Sequence, residues 1–307
     1  MKLKIVSRSG NQVCELDVAS ADETVSELKK QLHQVKKKLY PSRQRLTLPL
    51  KAGETRATVL ENGAKLSDYG LGDGSMLQLK DLGPQVGYAT VFFWEYFGPL
   101  IVYPLFFFFP KLFYPGMRSE AAGGHHLAQK LALYYWSFHY IKRILETFYV
   151  HKFGHDTMPV ANLFRNSAYY WGFAAFVSYF INHPLYHPPR VEQTLVALGL
   201  AMVCQLSNFR CHLILSNLRK PGEKGYKIPR GFLFEYITCA NYTVEVFGWL
   251  LFTTAVQALP AAIFSTVGTL QMAQWALQKH KRLRKMFDGK EGRPKYPRRW
   301  IMIPPLF

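Results

Sequence analysis

The sequence predicts a multi-pass α-helical membrane domain of about six helices, preceded by a small α+β domain. Three observations lead to this fold class. Six long apolar blocks follow one another after residue 86, whereas residues 1–82 are polar and contain short alternating stretches. Aromatic residues make up 15% of the 307-residue chain and recur in those blocks. Much of the net charge of +18 lies in the first eighty residues and in Lys279–Arg299.

The first 82 residues predict two strands, a helix and two further strands. Apolar and polar residues alternate from residue 3, and a turn leads to a second alternating stretch, which is the pattern of a β-hairpin. Asp22 opens a segment with apolar residues at helical spacing, and Pro41 ends it. The last two strands are predicted at residues 45–48 and 77–79. The apolar face of the helix contains Val25, Leu28, Leu32, Val35 and Leu39.

This order of elements indicates a β-grasp domain over residues 1–82. The stretches SRQRLTL (42–48) and LSDYGLGDGSMLQL (66–79) resemble ubiquitin in order and spacing. The last strand is not followed by the Gly-Gly pair that conjugation requires. We therefore expect a small cytosolic docking or stabilising domain. Asp81–Pro84 is predicted to be a short hinge to the remainder.

Residues 83–307 hold the apolar blocks, and a spanning helix needs about 20 apolar residues. An even number of spans places both ends of the chain on one side of the membrane. Because both ends carry an excess of Lys and Arg, we expect both termini to be cytosolic, with the basic tail on that side. The blocks lie at roughly 86–109, 127–149, 166–184, 191–215, 232–256 and 258–276.

The composition argues against several classes of site. The basic residues flank apolar blocks, so they indicate contact with anionic membrane lipid rather than with nucleic acid. The four cysteines form no CxxC pair, and no His/Cys cluster has zinc spacing, so we expect reduced thiols and no metal. The Gly-rich run 70–74 lacks the spacing of a dinucleotide-binding fold.

Acidic and amide side chains lie inside the apolar blocks, where they cost several kcal/mol unless they have partners. Glu95 lies among aromatic residues in the first block, where it indicates either a functional carboxylate or one that pairs helices, and Gln85 precedes it. In the second block, His139, Arg143 and Glu146 fall on one helical face, with Tyr140 beside it. The basic pair could hold a phosphate, or Arg143 could pair with Glu146 at (i, i+3).

A third group of polar residues spans 208–246. Asn208, His212 and Arg219 recur at helical spacing, and Asn241 and Glu245 are four residues apart, so they share a helical face. An amide beside a carboxylate suits a carboxamide or ribose hydroxyls. Arginine and lysine suit phosphates, and the candidates are Arg219, Lys220, Lys224, Arg230 and the tail from His280 to Lys285, which alternatively form a solvated basic flank.

These segments carry a family resemblance. IPRGFLF, CANYTVEVFGW, NLRKPGE and KHKRLRKMFD are similar to the C-terminal half of the steroid 5α-reductase family. KDLGPQVGY, SFHYIKRILETFYVHKF and INHPLYHPP, with the ubiquitin-like start, resemble its trans-2-enoyl-CoA reductase branch from end to end. YPSRQRLTLP and FDGKEGRPKYPRRW resemble the plant form.

The resemblance implies an endoplasmic reticulum enzyme that reduces the C2=C3 double bond of very-long-chain trans-2-enoyl-CoA with NADPH, as the last step of fatty acid elongation. The implied partners are the elongase condensing enzyme, the ketoacyl-CoA reductase and the hydroxyacyl-CoA dehydratase. Residue by residue, the family's cofactor motif falls on Asn208, Arg219, Asn241, Glu245 and His280. Its carbonyl-activating pair falls on Glu95 and Tyr140, and Gln85 and Tyr242 match positions thought functional in this branch. The steroid enzymes carry an Asp where this chain has His212.

The implied chemistry needs a hydride at C3, a proton at C2 and stabilisation of the thioester oxygen. Tyr140 is a candidate donor because it lies near Arg143 in sequence, and Glu95 could support it as a neutral acid. Tyr242, next to Asn241, is the alternative donor. We expect His139 and Arg143 to contact the substrate, with Lys152 and Arg165 as further candidates for the CoA head. The competing interpretations are a sterol or polyprenol reductase, a methyltransferase, a membrane scaffold and a transporter.

Overall fold

A computed structural model describes residues 1–50, 53, 57–117, 124–154, 156–219 and 225–307. The chain divides into two compact units. The first comprises Met1–Tyr88 and His155–Leu163, and the second comprises Ala89–Gly154 and Phe164–Phe307.

The first unit is built on a mixed four-stranded sheet with the strand order β2-β1-β4-β3. β1 runs antiparallel to β2 and parallel to β4, and β4 runs antiparallel to β3. One helix, α1, lies between β2 and β3 in sequence. The elements are β1 (Lys2–Ser7), β2 (Gln12–Asp17), α1 (Val25–Val35), β3 (Gln44–Thr47) and β4 (Met76–Asp81).

The helix α1 begins with a capping box and ends earlier than predicted. The Thr24 side chain accepts from the backbone N–H of Glu27, and the Glu27 carboxylate accepts from the backbone N–H of Thr24, which satisfies two helix-end donors. Val25, Leu28 and Leu32 are buried as expected. Val35 is 56% exposed, so its assignment to the buried face is wrong. The helix ends at that residue, and the backbone N–H of Lys36 donates to the carbonyl of Leu32.

The predicted hinge at Asp81–Pro84 is an ordered turn. The backbone N–H of Leu82 donates to the carbonyl of Arg43 (2.9 Å), and that of Gly83 donates to the Asp81 carboxylate (2.8 Å). Gly83 has φ of +73°, which favours glycine. A short antiparallel ribbon follows, formed by β5 (Gln85–Gly87) and β6 (Thr157–Pro159). The ribbon follows directly on the turn, and the backbone N–H of Val160 donates to the carbonyl of Pro84 (2.9 Å).

Helices make up most of the second unit. Two of them, α2 and α6, are long and apolar enough to cross a membrane. Within the described residues, six helices are long and one, α3, is a single turn. They are α2 (Tyr88–Phe108), α3 (Pro110–Phe113), α4 (Leu127–Tyr149), α5 (Val160–Ile181), α6 (Val191–Ser216), α7 (Ala240–Val256) and α8 (Leu259–Met286).

The helix α7 begins at Ala240, although the apolar block that predicts it starts at residue 232. The chain before it forms a short 3₁₀ turn, Phe232–Glu235. The N–H groups of Thr238 and Cys239 donate to the carbonyls of Trp300 and Ile301 (2.8 and 3.1 Å) rather than to a preceding helical turn. Pairing with the distant C-terminal segment therefore removes the predicted first turns of this helix.

Aromatic side chains fill the core between the helices. Trp136 and Phe252 are fully buried, and Trp136 packs against Tyr103 with ring centroids 4.9 Å apart. The contact of α2 with α5 depends on a glycine. The indole N–H of Trp171 donates to the carbonyl of Trp94 (2.9 Å), and a Cβ at Gly98 would lie 1.7 Å from that ring.

Candidate active site

Three helices of the second unit bring four polar residues together in what is here called the Glu245 cluster: His139 on α4, Asn208 on α6, and Asn241 and Glu245 on α7. The Asn208 side-chain amide donates to the Glu245 carboxylate (2.9 Å) and to the backbone carbonyl of Asn241 (3.1 Å). Asn208 and His139 are buried, and the Glu245 side chain is 16% exposed. The cluster therefore joins His139 to residues that are 69 or more positions away in sequence.

His139 faces the carboxylate with one ring nitrogen and an amide with the other. Its Nε2 lies 3.5 Å from Glu245 Oε1, and the Gln205 amide nitrogen lies 2.9 Å from Nδ1. We infer the tautomer with the hydrogen on Nε2, because this nitrogen faces the acceptor. Gln205 also donates to the Tyr135 hydroxyl (2.8 Å). The ring of His139 is therefore held from both sides.

A second set of charged residues adjoins the first and is named the Glu146 cluster: Lys142, Arg143 and Glu146 on α4, and His212 on α6. The Glu146 carboxylate, 1% exposed, accepts from Lys142 (3.0 Å) and Arg143 (2.9 Å). His212 Nδ1 lies 2.9 Å from the same carboxylate. The predicted (i, i+3) pair of Arg143 and Glu146 is thus present, and it is part of a larger group.

Asn208 links the two clusters. Its carbonyl oxygen accepts from the Lys142 ammonium (2.6 Å), while its amide nitrogen donates to Glu245. Two cationic and two anionic side chains, Lys142, Arg143, Glu146 and Glu245, are therefore connected through one amide. Charges that are paired and hydrogen-bonded in this way avoid much of the cost of burial.

The grouping of Glu146, His151 and His212 also has the composition of a metal site, with ligand atoms within 4.8 Å of one another. Its carboxylate, however, already accepts hydrogen bonds from Lys142 and Arg143. Those two positive charges oppose a cation at the same place. The arrangement therefore favours an ion-pair cluster over a metal centre.

The aromatic candidates lie beside this network. Tyr140 is buried, and its ring packs at 4.9 Å from that of His139. Arg143 donates to the hydroxyl of Tyr96 (2.8 Å), which is the phenol it contacts directly. Glu95, 2% exposed, accepts from the side-chain amide of Asn166 on α5 (2.6 Å). Glu95 is thus a buried carboxyl group with an amide partner.

Asn241 and Tyr242 open the helix α7. Asn241 is 8% exposed, and its side-chain oxygen has no hydrogen-bond partner among the described residues. Buried polar atoms without partners are rare and expensive. Tyr242 is half-buried, and its ring lies 6.5 Å from that of Trp275 on α8. Asn241 therefore offers a buried acceptor to a ligand that carries an N–H donor.

Other predicted residues lie outside these clusters. Arg219 is exposed just after the end of α6. His280 on α8 contacts Thr238 (2.7 Å) and the ring of Tyr296. Gln85 belongs to the first unit, where its side chain donates to the Leu82 carbonyl (2.9 Å) and accepts from Thr157 (3.2 Å). Lys220 and Lys224 lie outside the described residues.

Sequence reasoning missed four polar contributors: Tyr96, Lys142, Asn166 and Gln205. Lys142 was visible as a charge in the second apolar block, and Gln205 lies three residues before Asn208, on the same helical face. Asn166 was not conspicuous, because it lies near the beginning of its helix among Arg, Ser and Tyr. Its contact with Glu95 spans 71 residues and depends on the packing of α2 against α5.

Comparisons with known proteins identify the family. A family model described as 3-oxo-5-alpha-steroid 4-dehydrogenase matches residues 156–307. A very-long-chain enoyl-CoA reductase of Dictyostelium discoideum is 44% identical over 305 residues, which cover 98% of each chain. The chain belongs to the enoyl-CoA reductase branch of the steroid 5α-reductase family.

Further enoyl-CoA reductases extend this relationship. A probable very-long-chain enoyl-CoA reductase of Caenorhabditis elegans is 42% identical over 308 residues, covering 97% of this chain and 96% of the relative. A trans-2,3-enoyl-CoA reductase-like protein of Mus musculus is 35% identical over 294 residues, covering 91% of this chain and 77% of the relative. The chain is accordingly an oxidoreductase that uses a nicotinamide cofactor, and family membership with two apolar helices indicates membrane association.

Proposed function

We propose that this chain reduces the C2=C3 double bond of very-long-chain trans-2-enoyl-CoA with NADPH, as the last step of fatty acid elongation. The substrate is the one named for its relative with 44% identity. The observation that carries the proposal is the convergence of His139, Asn208 and Glu245, from three helices, in one buried polar cluster. Such groups are costly in an apolar environment and are retained mainly at functional sites.

The residues present fit a nicotinamide cofactor. The unpartnered side-chain oxygen of Asn241 suits the amide N–H of a carboxamide, and Glu245 offers carboxylate oxygens to hydroxyl groups. We assign cofactor binding to Asn208, Arg219, Asn241, Glu245 and His280. NADPH, rather than NADH, is favoured by Arg219 and the basic tail from His280 to Lys285, because their cationic groups suit a 2′-phosphate. When bound, the cofactor supplies a hydride for C3 of the enoyl thioester.

The protein's own residues would bind the thioester and move a proton to C2. Tyr140 and Tyr242 are the candidate proton donors, and Glu95 is the proposed support for Tyr140. Gln85 is a further proposed catalytic residue, and His139 and Arg143 are proposed to contact the substrate. A donor that stabilises developing charge on oxygen is typically worth ~10²–10³ in rate. Tyr140→Phe and Tyr242→Phe would identify the donor, because loss of the donor lowers kcat, whereas loss of a binding contact raises only KM.

We further propose residues 1–82 as a ubiquitin-like β-grasp domain in the cytosol and residues 83–307 as the membrane reductase domain. The mixed sheet with one helix supports the first assignment, and six long helices support a multi-pass second domain. We propose the endoplasmic reticulum membrane as the location, with both termini cytosolic. The partners would be the elongase condensing enzyme, the ketoacyl-CoA reductase and the hydroxyacyl-CoA dehydratase.

The test is NADPH oxidation by the detergent-purified full chain supplied with a long-chain trans-2-enoyl-CoA. We expect oxidation that requires both compounds and falls sharply in Asn241→Ala, because the buried acceptor is lost. Gln271→Ala is the matched control, since this amide is exposed on α8. Oxidation with a sterol or polyprenol substrate but not with the enoyl-CoA would contradict the proposed substrate. Full activity in Asn241→Ala would contradict the proposed site.

A further inference from the structure

A groove of about 440 Å³ lies at the end of α6. Its apolar lining is provided by Leu213, Ile214, Leu218 and Ile228, and Arg210 and Arg230 also line it. The volume falls within the range of small-molecule sites. An apolar trough bordered by two guanidinium groups suits a ligand that carries both an aliphatic chain and an anionic group.

The Arg210 side chain is held by a strained residue. Its guanidinium lies 4.4 Å from the centroid of the Phe232 ring, a cation–π contact. Phe232 has φ of +53°, an uncommon conformation for a bulky residue that costs free energy unless its surroundings enforce it. Gly231, with φ of +84°, precedes it. This backbone places an aromatic ring under the guanidinium, and strain of this kind occurs preferentially at ligand-binding positions.

Arg230, the second arginine of the groove, shares the carboxylate of Glu235 with Arg299. Arg230 Nη1 lies 3.4 Å from Glu235 Oε2, and Arg299 Nη2 lies 3.8 Å from the same oxygen. Among the residues that the structure describes, these two arginines and Arg210 therefore place three positive charges near one negative charge. The excess favours an anion beside the apolar trough.

The groove lies on the outer side of α6, away from the Glu245 cluster. Asn208 and His212 are buried on one side of the helix, whereas Arg210 and Leu213 are exposed and lie 140–200° around it at about 100° per residue. The exposed side continues along α6 through Leu206 and Val203, which are 62% and 58% exposed. That apolar stripe leads directly into the groove and is suited to contact with lipid chains.

The length of α6 places the arginine near the membrane surface. Its 26 residues extend about 39 Å, whereas the hydrocarbon core is about 30 Å thick. Arg210 is six residues before the last residue of the helix, Ser216. An α6 that spans the bilayer therefore reaches its phosphate layer, where basic side chains attract anionic headgroups.

We propose that this groove binds an anionic phospholipid, with the phosphate between Arg210 and Arg230 and an acyl chain along the apolar stripe of α6. The site is distinct from the reductase site and does not depend on the substrate assigned above. It gives the protein a preference for anionic lipid at one face.

The test titrates the detergent-purified full chain with phosphatidic acid and counts bound lipid by native mass spectrometry. We expect Arg210→Gln and Arg230→Gln each to weaken binding roughly fivefold, the effect of about one basic residue at a membrane surface. Arg210→Lys should retain part of the affinity, because the charge remains. The control is Arg190→Gln, an exposed arginine at the other end of α6.

Three outcomes would overturn the proposal. One is unchanged phosphatidic acid binding in both groove variants. Another is full competition by glycerol 3-phosphate, which has the phosphate without acyl chains and would show that the apolar trough contributes nothing. The third is a raised KM for enoyl-CoA with unchanged lipid binding, which would assign the groove to the phosphates of the CoA head. Folding of each variant is checked by its thermal midpoint.

Discussion

The two units bury different kinds of core. In the first unit the core is a cluster of Leu, Ile and Val side chains from the sheet and α1, with Leu3, Leu28 and Leu46 fully buried. In the second unit the core is rich in aromatic side chains, and the polar residues Glu146, His139 and Asn208 are also buried. The first core is mainly apolar, with buried Gln44 donating to the carbonyls of Lys29 and Leu39, whereas the second buries several charged groups that are costly to desolvate.

This difference supports the proposed location of the reductase site in the second unit. Replacing a buried ion pair with apolar residues of similar volume is often neutral or stabilising. A network that links Glu245, Asn208, Lys142 and Glu146 is therefore a poor way to gain stability alone. The described residues of the first unit include buried Gln44 and Lys29, which are held by hydrogen bonds, but no buried network of paired charges of this kind. We expect substitutions in the two cores to have different consequences.

The largest effect is expected for Glu245→Gln. It leaves a similar shape but removes the charge that accepts from Asn208 and faces His139. Charge-assisted hydrogen bonds contribute about 1.5–3 kcal/mol each. The loss of two, about 3–6 kcal/mol in total, predicts a fall in kcat/KM of roughly 10²–10⁴-fold. Steady-state kinetics with NADPH measures it, and Glu192→Gln, an exposed carboxylate on α6, serves as control. Equal kinetic constants for the two variants would contradict a functional role of the Glu245 cluster.

The next largest effect is a loss of stability, expected in the apolar core of the first unit. Leu46→Ala should destabilise the first unit by about 3 kcal/mol, because a fully buried leucine leaves a cavity. Hydrogen exchange of the β1 and β4 amides, followed by mass spectrometry, should become faster. Val35→Ala is the control, since Val35 is 56% exposed. Unchanged protection in Leu46→Ala would mean that this core is not closely packed.

A smaller effect is expected within the helical core at Gly98. Gly98→Ala places a methyl group in the Trp171 ring and should cost about 2 kcal/mol through forced repacking. Gly172→Ala is the matched control, because this helical glycine has open space around its Cβ position. The control should be neutral or slightly stabilising. Thermal unfolding in detergent compares them, and equal midpoints would contradict the close contact of α2 with α5.

The smallest effect lies at the edge of the first unit. Hydrogen bonds from Arg43 hold the pKa of Asp81 below its ordinary value. Because the folded pKa is the lower one, the stabilisation is present above the unfolded value of about 3.9 and is lost as the pH falls through the folded pKa. The side chain is 41% exposed, so the contribution should stay below about 1 kcal/mol. Asp81→Asn should abolish this part of the acid dependence, and salt should weaken it.

Helical periodicity predicts most of the elements but not the partners within the site. The blocks at 127–149 and 191–215 correspond closely to α4 and α6, because each is a long apolar segment with clear ends. The predicted beginning of α7 at residue 232 is wrong, because the backbone amides of Thr238 and Cys239 donate to residues about 60 positions away in sequence. Helical periodicity also does not predict the partner of Lys142, because its contact with Asn208 spans 66 residues.

The ribbon of β5 and β6 has a consequence for biosynthesis. The sheet of β1 to β4 can form once residue 81 has left the ribosome, whereas β5 pairs with residues 157–159. The ribosome must therefore translate α2, α3 and α4 before the first unit is complete. Contacts that close so long a loop form late. We expect the sheet to fold early on the nascent chain, and the ribbon to close only after these helices have been synthesised.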